Sequence, residues 1–106
     1  MINKKIDEYI ECIQEHRYYD AHEALEEVWF PRRFEKSHEV KLIKGFINAS
    51  VSFELIKLGR IPQSKKVWAT YLKHRQLLFK VESPYLNRYY QLSRYIEEIN
   101  LNKTHS

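Results

Sequence analysis

There is a single cysteine in the 106 residues, Cys12, so no disulfide can form within the chain. One free thiol fits a reducing compartment, and its place beside an apolar stripe points to inert burial rather than reactivity. Glycine occurs twice and proline three times. No low-complexity segment, internal repeat or glycine-rich phosphate loop is present. No apolar run approaches the roughly 20 residues that cross a bilayer. The opening "MINKKIDEYIEC" has a basic pair but lacks the apolar stretch of a secretory signal. The expected location is cytoplasmic, with no membrane partner. A convincing period-2 run is also missing, which leaves little room for a sheet.

What is present is helical periodicity. With 43% hydrophobic and 14% aromatic residues, the chain can bury one core without staples. The expected fold is all-α, a compact bundle of about five helices in a single domain over 1–100, with a flexible polar tail over 101–106. Ile6, Tyr9, Ile10 and Ile13 mark one buried face of a first helix near 3–16. "HRYY" turns the chain. A second helix begins at Asp20, read as its N-cap, with Glu23 three places on as in a capping box. Pro31 stops it.

A third helix spans 38–58, with Gly59 just past its end. Pro62 opens a fourth in a favoured first-turn position, its buried face read as Val67, Trp68, Tyr71, Leu72, Leu78 and Phe79. Ser83-Pro84 starts a fifth, with Leu86, Tyr89, Leu92 and Ile96 inward. Helix three carries two apolar faces: Leu42, Phe46, Ala49, Phe53 and Ile56 on one, Val40, Ile43, Ile47 and Leu58 on the other. Such a helix is either central in its own bundle or shared, and a homodimer is the expected way to hide the second face.

The stretch "YYDAHEALEEVW" holds the chemistry. Ala21, Leu25, Val28 and Trp29 form the inward stripe, and His22 and Glu26, four apart, continue it at the edge of the core. Glu23 and Glu27 turn toward solvent. His22 therefore reads either as a core-edge histidine fixed by a hydrogen bond, or as a metal ligand or proton carrier with Glu26 beside it. The motif lacks the second histidine of a zinc protease, and too few His and Cys are present for a closed structural zinc site. If a cofactor binds, a divalent metal at His22 and Glu26 is the expectation. Trp29 supplies a wall and Tyr19 a lid. Glu54, placed among Val40, Ile43, Ile47 and Leu58, needs a partner, with His22 the first candidate and a Lys or Arg from helix four the alternative. Lys44 and Asn48 share a face of helix three and could both reach an anionic ligand. Glu35-x-x-His38 matches the spacing of half a di-iron motif, but it lies in a connector and has no second copy.

The net charge of +4 invites anionic partners. Lys65, Lys66, Lys73, His74, Arg75 and Lys80 gather on helix four, yet Trp68 and Tyr71 fall on its apolar face and no nucleic-acid signature is present. Nucleic acid is the least favoured partner.

The run His22, Glu23, Glu26, Trp29, followed by Gly45, Ile47 and Gly59 in "KGFINASVSFELIKLG", resembles the family called domain of unknown function 309, over roughly residues 5–80. The resemblance implies a small all-helical domain and carries no established activity. Where many members have Gln on either side of the glycine, this chain has Lys44 and Asn48. Two functional readings follow. One is a small-ligand or metal-assisted site at His22, Glu23, Glu26 and Trp29, with Lys44, Asn48 or Glu54 opposite. The other is a non-catalytic interaction module whose polar cluster only fixes helix packing. The second is favoured as to catalysis, the first as to location.

Overall fold

A computed structural model describes the backbone of residues 1–105 and the side chains of 1–103. The helices are α1 (Ile2–Gln14), α2 (Tyr18–Trp29), α3 (His38–Lys57), α4 (Ile61–Arg75) and α5 (Leu86–His105). Single turns of 3₁₀ helix follow α2 (Phe30–Arg32) and α4 (Gln76–Phe79). The all-α, single-core architecture expected from periodicity is the observed one. The radius of gyration, 12.8 Å, is what a chain this long needs to close around one core. Helix α5 runs into the expected polar tail as far as His105, and Ser106 lies outside the described residues.

Two helix ends are built alike from different residues. At the end of α3, Gly59 has φ +77° and its N–H reaches the Ile56 carbonyl, while Arg60 N–H reaches Leu55. At the end of α1, the same pair of bonds runs from His16 to Ile13 and from Arg17 to Cys12. This is the Schellman arrangement. Here, however, a histidine occupies the left-handed position, at φ 60°. Lys57 at the end of α3 donates to the His16 carbonyl at 3.1 Å, which ties the two caps together.

With α1 ended this way, α2 begins two residues earlier than Asp20. Its N-cap is Arg17, which makes no side-chain capping bond, and Asp20 lies inside the first turn, where Arg17 Nη1 meets its carboxylate at 3.0 Å. The capping box of Asp20 and Glu23 is therefore not formed. A residue that does cap its helix through the side chain is Ser37, whose Oγ accepts from Val40 N–H at 3.2 Å.

Helix α3 is the centre of the bundle. Val40, Leu42, Ile43, Phe46, Ile47, Ala49 and Phe53 are all buried. The second stripe, which suggested a homodimer, is therefore covered by other helices of the same chain. Leu58 is the exception at 57% exposure, lying beyond the helix end. Contact with α4 is close at Gly45: a Cβ built there would lie 2.6 Å from His74 Cβ. Cross-helix bonds hold the register, with Tyr9 Oη donating to the Phe46 carbonyl at 2.8 Å and Ser64 Oγ to the Ser52 carbonyl at 2.9 Å.

On α4, Tyr71 is fully buried and Trp68 packs on it with ring centroids 4.8 Å apart. Phe79 is 83% exposed, against the expectation for that face. The reason is phase: the chain switches to 3₁₀ geometry at Gln76, where each residue turns further than in an α-helix, and Phe79 swings outward. Leu78 takes the inward place.

Candidate functional site

The α2 stripe is as the spacing requires, with Ala21, Ala24, Leu25 and Val28 buried and Trp29 packed half-buried against the core. At its rim the His22 Nε2 meets a Glu26 carboxylate oxygen one turn on, with side chains about a quarter and a third exposed. Tyr19 sets its ring edge against His22, centroids 5.8 Å apart, but is itself 64% exposed. It covers one side of the imidazole and closes nothing. The Glu23 carboxylate beside Tyr19 pushes that phenol's pKa upward.

From α3, Lys44 places its ammonium 4.2 Å from the centroid of the Trp29 ring. That is cation–π geometry, and it bridges the motif to the helix expected to face it. Among the described residues, Asn48 is half-buried and finds no side-chain hydrogen bond. Glu54 is likewise half-buried, and its carboxylate has neither ion pair nor hydrogen bond among them. The expected His22–Glu54 contact does not form. Because Leu58 faces outward, the apolar cage inferred around Glu54 stays open to water, and a lone carboxylate is tolerable there.

Among the described residues no three His, Cys, Asp or Glu side chains converge where a metal could sit. Glu23 and Glu26 help line a shallow groove of about 300 Å³ beside Phe30 and Pro31, and Glu23 also borders an α1–α2 groove of about 410 Å³. His22 is in the wall of neither. In that second groove the acidic groups are largely engaged: Lys5 pairs with Glu8 and Glu27, and Arg17 with Glu15 and Asp20. Glu35 is held by Arg32 through two bonds of 3.0 and 3.1 Å, so the Glu35/His38 spacing has no chemistry.

Two polar networks escaped the sequence reading. In the first, Glu39, in the first turn of α3, accepts from Tyr89 Oη at 2.6 Å, Ser83 Oγ at 2.7 Å and Arg32 at 3.3 Å. Burial pushes the Glu39 pKa up, but those three donors together outweigh it and hold the carboxyl below its usual range. Burial first, then the Glu39 carboxylate, raises the Tyr89 phenol. In the second, Tyr71 Oη lies 2.9 Å from Ser93 Oγ, Ser93 donates to Glu97 at 2.7 Å, and Arg75 clamps Glu97 at 2.6 Å. Tyr89, Ser93 and Glu97 stand four apart on α5, a polar seam beside Leu92 and Ile96 that the spacing could have disclosed. Both networks join elements far apart in sequence and have their hydrogen bonds satisfied internally.

Fold and site together define a small all-α bundle with a His–Glu pair on the rim of its second helix. The chain belongs to the family described as domain of unknown function, DUF309, whose pattern matches residues 6–67, from α1 into α4. No curated protein and no solved structure matches the chain. No helix of the described residues is long and apolar enough to cross a membrane.

Proposed function

We propose that this protein is a non-catalytic interaction module, and that its His-Glu-x-x-Glu-x-x-Trp run fixes helix packing. The observation that carries this is the closure of the motif on itself and its immediate neighbours. His22 is met by Glu26 on its own helix, Trp29 is capped by Lys44, and no pocket draws their polar atoms to one point. A catalytic or metal site needs convergent groups around a space for the ligand. The shallow groove that Glu23 and Glu26 line beside Phe30 and Pro31 includes neither His22 nor Trp29, and the pairing accounts for the residue types.

The surface next to the motif supports a contact role. Phe30 and Phe34 are 52% and 84% exposed, and Arg33 stacks its guanidinium on both rings, 3.6 and 4.5 Å from their centroids. Exposed aromatics with an arginine are the residue types that dominate binding at protein interfaces. A photo-reactive phenylalanine analogue at position 34 should give a discrete cross-linked species in cells, removed by Arg33→Glu and retained by His22→Gln. Loss of the cross-link with His22→Gln, in a variant that still folds, would return the function to the motif.

The competing reading, a metal-assisted site at His22 and Glu26, makes the opposite forecast for stability. There, a divalent ion should raise the melting temperature of the native chain and leave the His22→Gln variant unmoved, since a ligand stabilises only the state that binds it.

A further inference from the structure

We propose that the cavity between the end of α3, the start of α4 and the end of α5 binds a small amphipathic anion, an aliphatic chain ending in a carboxylate. This site lies away from the His22 motif and goes beyond the interaction role. The cavity holds about 420 Å³, within the range of ordinary small-molecule sites. Its walls are Ile56 from α3 and Ile61 and Trp68 from α4; Lys65 and Lys103 stand with Asn100 among the residues that line it. The Ser64 hydroxyl also reaches this wall but is already committed to the Ser52 carbonyl.

Trp68 is only half-buried although its ring packs on Phe53 and Tyr71, so one of its faces is left for an occupant. Lys103 lines this cavity, with its ammonium 4.6 Å from the Tyr18 ring and 5.8 Å from the Phe53 ring on which Trp68 packs. Lys65 is exposed and engages no carboxylate among the described residues. No lining residue is acidic. Along the chain from Leu55 to Val81 there is no Asp or Glu, while Lys57, Arg60, Lys65 and Lys66 fall at the end of α3 and the start of α4. The first turn of α4 adds its own partial positive charge. A purely polar anion would leave Ile56, Ile61 and Trp68 unanswered, and a purely apolar ligand would leave Lys65 without a counter-charge. A chain with one carboxylate satisfies both.

The test uses the full chain carrying Trp29→Phe, which leaves Trp68 as the sole tryptophan of the original two. Decanoate, kept below its micelle concentration, should change Trp68 fluorescence along a saturable curve. Decanol and acetate, which carry the chain and the charge separately, should each bind at least about tenfold more weakly, the scale of one lost charge-assisted or apolar anchor. Lys65→Glu combined with Lys103→Glu should weaken decanoate by a similar factor. Ile61→Asp is the second arm; the position is 42% exposed, and an acid suits a first helical turn, so the fold should persist while decanoate binding is lost. Absence of saturation, equal binding of decanol or acetate, or unchanged affinity in folded charge-reversed or Ile61→Asp protein would each overturn the proposal.

Discussion

Gly45→Ala sets two effects against each other, and their sizes decide the sign. Alanine is favoured over glycine within a helix by about 1 kcal/mol, and position 45 lies well inside α3. Against that, the new methyl would sit 2.6 Å from His74 Cβ and 3.4 Å from its Cγ. Carbon atoms rest at about 3.5–4.0 Å, so α4 would have to retreat by roughly 1 Å. His74 Cβ cannot turn aside, because it is fixed to the α4 backbone. Overpacking of this kind costs about 1–3 kcal/mol, and retreat would also loosen Tyr71 against Phe46, now 6.0 Å apart between centroids. Overpacking less the helix gain leaves about 0–2 kcal/mol, and the loosened Tyr71 adds to it. The expected net result is therefore a loss in the upper half of that range, about 1–2 kcal/mol, or a melting temperature lower by roughly 5–15 °C for a domain this size. Urea denaturation followed by circular dichroism measures it. His74→Ala should not rescue the variant, since alanine keeps the offending carbon, whereas His74→Gly should couple favourably with it. A Gly45→Ala protein as stable as the native chain would refute the close-approach argument.

The remaining predictions concern one carboxylate and one backbone angle. Glu39 has its pKa lowered on folding, so the unfolded chain binds the extra proton and the stability Glu39 contributes is complete at neutral pH. It is lost as pH falls below about 4, through the depressed folded value; the gap in denaturation midpoint between the native chain and Glu39→Gln should therefore shrink from about pH 6 to about pH 3. His16→Gly should stabilise the protein by up to about 1 kcal/mol, because the left-handed angle is costly for any residue with a Cβ. An unchanged or lowered midpoint would mean that the His16 ring, 5.9 Å from Tyr18, contributes more than the angle costs.

Much of the fold is legible in the sequence because its signals are local. Gly59, Pro62 and the apolar spacing along α1 and α3 each act within a few residues, and the helices lie where those residues put them. The start of α2 is not legible, because a histidine closes α1 and carries no sequence mark of a left-handed angle; Asp20 is a good capping residue type, whereas Arg17, the actual N-cap, is not. Phe79 departs from its expected face because periodicity assumes one helical pitch and the chain changes pitch at Gln76. In the site, the His22–Glu26 pair follows from a spacing of four, but Glu54 depends on how α3 is rotated against α2, which spacing does not contain. Glu39 meets Tyr89 across 50 positions of sequence, and no window along the chain holds both.

Under the proposed packing role, His22 and Glu26 serve as each other's partners rather than as ligands of a bound metal. Elemental analysis of protein purified without an affinity tag or chelator tests it most directly. The expected result is zinc, manganese, iron and nickel each far below one equivalent per chain, in the native protein and in His22→Gln alike. A stoichiometric metal that disappears in a folded His22→Gln variant would contradict it.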